Sequence, residues 1–285
     1  MSEQAEPRAE RSGQVALGGE VLVNRLGFGA MRITGAGVWG EPNDRREAVR
    51  VVRRAIELGV NFIDTAAAYG PGVSEGVISE ALHPYPDDLI IATKSGFQRS
   101  GANAWHADGR PETIRSDCER SLALLGQETI DLYQLHTVDR DVPIEESLGA
   151  FVELQREGKV RMIGVSNVSV QQLERARAVA DIVSVQNRYS LSDRGSEDVL
   201  ELCAREHLVF LPWYPLAAGE LARASTLATV AAAHGATPAQ VAIAWLLARS
   251  PAMLPIPGTS SVAHLEENVA AATITLSEPE LARLA

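Results

Sequence analysis

The chain has few cysteines and a shortage of basic residues, and each shortage excludes classes of protein. Its two cysteines, Cys118 and Cys203, form no CxxC pair, so neither a disulfide framework nor a metal site is predicted. The 26 lysines and arginines are outnumbered by 37 acidic residues, which gives a net charge of −11. Because nucleic-acid surfaces need a clustered excess of positive charge, we expect no nucleic-acid partner.

Long apolar runs are also missing from the start of the chain. Residues 1–14 are polar and charged, without the apolar stretch of a signal peptide or a membrane span. We therefore predict a disordered N-terminal tail over residues 1–14, a cytoplasmic location and no membrane contact. No shift in composition divides residues 15–285, which we expect to form a single domain.

The rest of the chain alternates short apolar runs with amphipathic helical segments. A hairpin is predicted first, from apolar residues on both sides of Gly18-Gly19-Glu20. Eight strands follow at 26–30, 60–63, 89–93, 130–135, 160–165, 182–185, 209–211 and 253–256. They are apolar throughout, as in sheets that are covered on both faces. Eight strands, each followed by a helical segment, predict an α/β fold, a (β/α)8 TIM barrel with an N-terminal β-hairpin; a doubly wound sheet is the alternative.

Local sequence signals predict several helix ends. Two segments also match functional motifs but lack the structural context that those motifs require. Asp44 with Glu47 and Thr237 with Gln240 predict capping boxes. Residues 35–40 match GxGxxG, but the helix opens only after the glycines, so the segment is interpreted as a loop that carries Trp39. Residues 72–76 match GxSxG, but they do not follow a strand directly, so Ser74 is interpreted as a helix N-cap.

Four polar residues lie at or just beyond the ends of three predicted strands: Asp64, Tyr69, Lys94 and His136. The carboxyl ends of parallel strands meet on one rim of a barrel, where this architecture places its chemistry. A nearby ammonium would lower the pKa of the tyrosine, and the carboxylate would keep that ammonium charged. With the imidazole bound to the substrate oxygen, the set would protonate a carbonyl as a hydride reaches its carbon.

At these residues the chain resembles the aldo-keto reductase family. The resemblance extends over nearly the whole chain. It rests on Leu26-Gly27-Phe28-Gly29-Ala30-Met31-Arg32, Asn61-Phe62-Ile63-Asp64-Thr65-Ala66 with Tyr69-Gly70, Ile91-Ala92-Thr93-Lys94 and Asp131-Leu132-Tyr133-Gln134-Leu135-His136. It implies an NADP(H)-dependent oxidoreductase that reduces aldehydes or ketones to alcohols, with Tyr69 as general acid.

The resemblance also implies a cofactor site that is not a Rossmann fold. The residues expected to bind the cofactor are Ala30, Met31, Ser166, Asn167, Gln186, Trp213, Tyr214, Pro215, Leu216, Gly219, Gly258, Thr259, Ser260, Ser261, His264, Glu267 and Asn268. Trp213 corresponds to the aromatic residue that stacks on the nicotinamide. Gly258 and His264 often are Lys and Arg in similar sequences, where they hold the 2′-phosphate. Neither basic residue is present here, so the local residues favour NADP(H) less than the family resemblance does. The resemblance implies NADP(H) as the cofactor, and NAD(H) is the alternative.

The substrate is expected to be a small carbonyl compound, and two tryptophans are candidates for its pocket. Trp39 and Trp105 lie on predicted rim loops. Two other functions are weighed against a reductase. One is an aldolase-type lyase with Lys94 as Schiff-base nucleophile, which Asp64 disfavours by holding the lysine charged. The other is a non-catalytic, nucleotide-sensing subunit. The sequence identifies neither the substrate nor the oligomeric state.

Overall fold

A computed structural model describes residues 6–216 and 225–284 of the chain. The strands are β1 (Gln14–Leu17), β2 (Val21–Asn24), β3 (Phe28–Gly29), β4 (Phe62–Asp64), β5 (Ile90–Ser95), β6 (Phe97–Gly101), β7 (Ala104–Ala107), β8 (Ile130–Leu135), β9 (Val160–Ser166), β10 (Ile182–Gln186) and β11 (Val209–Phe210). The α-helices are α1 (Arg45–Glu57), α2 (Val73–Leu82), α3 (Pro111–Leu125), α4 (Ile144–Arg156), α5 (Val170–Arg177), α6 (Glu197–Arg205), α7 (Ser225–Ala233), α8 (Pro238–Arg249), α9 (Val262–Ala270) and α10 (Glu278–Leu284).

Seven parallel strands form one sheet whose order follows the chain. The order is β3-β4-β5-β8-β9-β10-β11, and β6 and β7 pair with each other outside it. Since the strand ends carry the chemistry of such folds, this order brings the ends of β4, β5 and β8 side by side. The predicted N-terminal hairpin is also present, as the antiparallel pair of β1 and β2.

The eighth predicted strand, 253–256, is not a strand in the described part of the chain. Its backbone nevertheless bonds both edges of the sheet: Leu254 N–H donates to Phe210 O at 2.9 Å, and Pro255 O accepts from Gly27 N–H at 2.9 Å. Pro255 and Pro257 have no N–H group, so the segment cannot form a regular ladder. Within the described residues the predicted eight strands of the sheet are therefore corrected to seven.

Part of the segment that was predicted to be a disordered tail has regular structure. Ala9–Ser12 form a 3-10 helix, and β1 already begins at Gln14. Ala9 is completely buried, and its N–H donates to Leu58 O at 2.8 Å. A small apolar side chain and one backbone hydrogen bond thus hold this polar segment against the end of α1. Residues 1–5 lie outside the described residues.

The observed helix caps agree in part with those predicted from the sequence. Thr237 and Gln240 form the predicted capping box at α8. Asp44 caps α1, but the Glu47 carboxylate bonds Arg50 and the Val262 N–H instead of completing a box. The N-cap of α2 is Gly72, at a φ of 78°, so the prediction for Ser74 is wrong by two residues.

Apolar side chains fill both sides of the sheet. One cluster lies within the curve of the sheet and includes Leu17 of the hairpin, Phe62 of β4 and Leu254. Larger clusters lie between the strands and the helices. No single helix in the described ranges is long and apolar enough to cross a membrane; only Thr226–Ala233 and Pro238–Arg249 pass that test together, as a pair bent by 91°.

Candidate active site

The structure brings together all four residues that the sequence places at the strand ends. Lys94 Nζ donates to Asp64 Oδ2 and to Thr65 O, both at 2.7 Å. The lysine is completely buried, and Asp64 is 2% exposed. Burying this pair is tolerable because each charge faces its counter-ion and further hydrogen-bonding groups. The side-chain amides of Gln134 and Gln186 donate to Asp64 Oδ1 at 3.2 and 2.7 Å.

Tyr69 and His136 lie edge to face, with ring centroids 5.7 Å apart. Lys94 Nζ is 5.2 Å from the centroid of the Tyr69 ring. Burial, with a smaller effect of Asp64, raises the pKa of Tyr69 well above its usual value. The pKa of Tyr69 is therefore raised and not lowered as the sequence predicted, because burial disfavours the charged phenolate. The phenol keeps its proton at neutral pH.

His136 is a neutral imidazole in this surrounding. Burial lowers its pKa well below the usual value, and the charges of Lys94 and Arg99 act in the same direction. A neutral imidazole carries one N–H and one lone pair, so it can donate one hydrogen bond to a bound oxygen. Its Nδ1 is buried and has no hydrogen-bond partner within the described residues.

The four residues lie beside a cavity of about 610 Å³. Asp64, Tyr69 and His136 line the cavity, and Lys94 lies behind them. Other predicted site residues that line it are Met31, Trp105, Ser166, Asn167, Gln186, Trp213, Tyr214, Pro215, Leu216 and Gly258. Most ligand sites are concave, largely apolar and supplied with a few convergent polar groups, which is how this cavity is built.

Comparison with known proteins agrees with this geometry. The profile of the Aldo/keto reductase family matches residues 25–285. The chain belongs to the aldo/keto reductase family. Our prediction of the family is thereby confirmed.

The similar proteins include characterised and uncharacterised oxidoreductases. The reductase is 44% identical to pyridoxine 4-dehydrogenase of Escherichia coli, over 93% of this chain and 95% of that one. It is 47% identical to an uncharacterised oxidoreductase of Schizosaccharomyces pombe, over 97% of this chain and 90% of that one. A Klebsiella pneumoniae aldo-keto reductase in complex with NADPH is 31% identical, with a TM-score of 0.82 and coverage of 95% and 93%.

Several predicted cofactor residues of the reductase do not line the cavity. These are Ala30, Thr259, Ser260, Ser261, His264, Glu267 and Asn268, whereas Gly219 lies outside the described residues. The Glu267 carboxylate accepts from Thr237 Oγ1 at 2.5 Å, in the cap of α8. His264 is exposed on α9.

Asn167 joins two parts of the rim. Its side-chain amide donates to His136 O at 2.9 Å and accepts from the Trp213 indole N–H at 2.9 Å. Its φ of 57° lies in the left-handed region, which asparagine tolerates better than most residues. The nicotinamide-stacking candidate is thus tied through one side chain to the segment that carries His136.

The β6-β7 hairpin is a part of the site that sequence reasoning missed. It places Phe97 and Trp105 against His136, with ring centroids 4.9 and 6.2 Å from the imidazole. The Arg99 guanidinium lies 3.7 Å from the Trp105 ring centroid, and its N–H groups donate to Val38 O and Gly37 O, both at 2.8 Å. Trp39, the other predicted substrate residue, is 38% exposed and does not line the cavity.

Other lining residues were not predicted as site residues: Gly29, Arg32, Thr137, Ile256 and Pro257. Arg32 follows Met31 directly in the motif, and its charge was an available signal. A Cβ on Gly258 would lie 2.6 Å from Gly29 O and 3.6 Å from Arg32 Cγ. Backbone contact therefore excludes a lysine at position 258 unless the backbone moves, and Arg32 is the cation beside that point.

Proposed function

We propose that this protein is an NADP(H)-dependent carbonyl reductase that interconverts small aldehydes or ketones and alcohols. The observation that carries the proposal is the buried cluster of a lysine-carboxylate pair, a protonated phenol and a neutral imidazole beside one cavity. The similarity of this chain to an aldo-keto reductase from Klebsiella pneumoniae in complex with NADPH supports NADP(H) as the cofactor. We further infer a single domain over 15–285, with residues 253–257 closing the barrel, and a cytoplasmic location.

The residues around the cavity fit a nicotinamide cofactor. Trp213 offers an aromatic face to the cavity. Gly29 and Gly258 present bare backbone to it, because a Cβ atom on either residue would collide with a neighbouring backbone oxygen. Arg32 adds a cation to the lining, which suits a phosphate-bearing ligand. When bound, the cofactor supplies the hydride.

Side chains of the protein carry out the proton transfer and orient the carbonyl group. Tyr69 gives its phenolic proton to the carbonyl oxygen, and the Lys94 ammonium stabilises the phenolate that remains. Asp64 keeps Lys94 charged, while Gln134 and Gln186 satisfy the other carboxylate oxygen. His136 donates its N–H to the same carbonyl oxygen and orients it. Preorganised donors of this kind act strongly where burial lowers the local dielectric constant.

We propose planar aromatic aldehydes, with pyridoxal as the first to test, as the preferred substrate class. The rings of Phe97, Trp105 and His136 contact one another edge to face beside the cavity. Aromatic pairs add about 0.5–1.5 kcal/mol beyond their buried area. The similarity to an Escherichia coli pyridoxine 4-dehydrogenase supports the same class. Loss of nicotinamide absorbance on mixing with a panel of aromatic and aliphatic aldehydes tests it.

We expect the Trp105→Ala variant to lose preference for aromatic aldehydes. Its kcat/KM for an aromatic aldehyde should fall about tenfold, since roughly 1.4 kcal/mol of ring contact corresponds to that factor. The value for propanal should change much less. Trp39→Ala, outside the cavity, is the matched comparison: a selective loss in that variant instead would assign the ring contact to Trp39.

We expect reduced cofactor to quench tryptophan fluorescence mainly through Trp213. In the Trp213→Ala variant most of the quench should disappear, because the stacked indole is gone. Trp245→Phe is the matched control, because Trp245 is buried in α8 and stacks on Tyr189. A quench that persists in the Trp213 variant and vanishes in the Trp245 variant would place the nicotinamide elsewhere.

The two alternative functions fit the structure less well. A Schiff-base lysine must be neutral and accessible, whereas Lys94 is completely buried and donates to a carboxylate and a carbonyl. Borohydride trapping of an aldehyde should therefore leave Lys94 unmodified. A nucleotide sensor has no need for a complete proton-donating cluster, and this chain retains one.

A further inference from the structure

Three consecutive residues at the end of β5 are each held by a different buried carboxyl group. Lys94 donates to Asp64, Thr93 Oγ1 donates to Glu75 Oε1 at 2.6 Å, and Ser95 Oγ donates to Asp117 Oδ2 at 2.6 Å. Successive side chains of a strand point to opposite faces. Thr93 and Ser95 therefore face the helix layer, while Lys94 faces the reaction site.

Glu75 belongs to a helix that begins directly after the Tyr69 loop. Ser74 N–H donates to Tyr69 O at 3.2 Å, and Ser74 Oγ accepts from Thr65 Oγ1 at 2.7 Å. Thr65 is also the residue whose carbonyl accepts from Lys94 Nζ. Ser74 and Glu75 in the first turn of α2 thus connect the tyrosine loop with the residues beside Asp64 and Lys94.

The charge state of Glu75 follows from its surroundings. The residue is completely buried, and within residues 6–216 and 225–284 no cation pairs with it: Arg120 pairs with Asp117, and Lys94 pairs with Asp64. An unpaired buried carboxylate is costly. Glu75 Oε2 and Ser121 Oγ are buried next to each other without a well-formed hydrogen bond to any described residue, and a proton on Oε2 would give Ser121 Oγ a donor. Burial also raises the pKa of Glu75.

We propose that Glu75 is a positioning residue that, as a neutral carboxylic acid, fixes Lys94 against Asp64 through Thr93. The inference rests on the proposed function, because Lys94 is the residue that it positions. The ionisable groups that face Glu75 are Lys94 on β5, Asp117 and Arg120 on α3, Tyr133 on β8 and Tyr85 after α2.

Two substitutions of Glu75 test the proposal. Glu75→Gln has the same shape and the neutral charge, so kcat and its pH profile should stay within about twofold of wild type. Glu75→Leu removes the acceptor, so kcat should fall about tenfold or more while the cofactor dissociation constant stays unchanged. A pH profile displaced by the glutamine variant, or full kcat in the leucine variant, would overturn the proposal.

A double-mutant cycle tests the route through Thr93. Thr93→Val removes the donor of the same hydrogen bond, so the Thr93→Val and Glu75→Leu losses in kcat should not add. Additive losses would contradict a shared path. Asp131→Asn is the control for general damage to the strand, because Asp131 accepts from Ile91 N–H of the same β5 at 3.1 Å. It should change thermal stability without changing kcat.

A second readout separates this inference from the proposed reaction. The buried Lys94 ammonium should give its own ¹⁵N nuclear magnetic resonance signal, displaced in Glu75→Leu and unchanged in Glu75→Gln. Absence of carbonyl turnover by the wild type would refute the proposed function, and the lysine signal would still decide whether Glu75 positions Lys94. An unmoved signal in the leucine variant would refute the positioning role.

Discussion

Replacing Tyr69 with phenylalanine should abolish carbonyl reduction while leaving cofactor binding intact. The phenolic proton serves only the transition state, so turnover should fall by about 10²-fold or more. The ring contacts with Trp105 and His136 remain in the variant, which limits structural damage. Single-turnover absorbance measurements give the rate, and fluorescence titration gives the cofactor dissociation constant.

Two results would contradict this role for Tyr69. A near-normal rate in the variant would assign the proton to another group. Equal losses in rate and in cofactor affinity would mean that the hydroxyl serves cofactor binding and not the transition state alone. His136, held neutral by burial, would be the next candidate donor.

Replacing Lys94 with methionine should destabilise the protein strongly. The change leaves Asp64 buried without its cation, and breaking a buried ion pair on one side costs about 3–5 kcal/mol. Urea unfolding measures this free energy. The double variant Asp64→Leu with Lys94→Met should recover part of the loss, since no buried charge then remains.

An exposed ion pair provides the matched control. Lys159 Nζ lies 2.5 Å from Glu119 Oε1, with side chains 34% and 56% exposed. Water screens such a pair, so Lys159→Met should leave the unfolding free energy nearly unchanged. If Lys94→Met lowered the unfolding free energy as little as Lys159→Met does, water would be screening the Lys94–Asp64 pair as well.

The sequence was most informative where one physical signal dominated. The apolar run at 130–135 predicted β8 with the bounds that the structure has. The capping box at Thr237 is also as predicted, and both of its side chains additionally donate to Glu267 of α9. At α1 the same pattern failed, because Glu47 bonds Arg50 and the remote Val262 N–H, which local sequence does not reveal.

The parts that were missed depend on long-range contacts. Residues 97–107 contain no apolar run, so nothing local predicted the β6-β7 hairpin that carries Trp105. The pKa of Tyr69 depends on the burial of its side chain, which spacing along the chain does not show. The eighth strand was predicted from its apolar residues, while Pro255 within it and Pro257 after it prevent a regular ladder.

The Asn167 side chain physically links the two halves of the site. The Trp213 indole and the His136 carbonyl are held by the same amide group. We therefore expect a ligand that shifts the indole to change the free energy of binding beside the imidazole. By reciprocity, a carbonyl compound bound beside His136 would then change the affinity of a ligand stacked on Trp213 by the same factor.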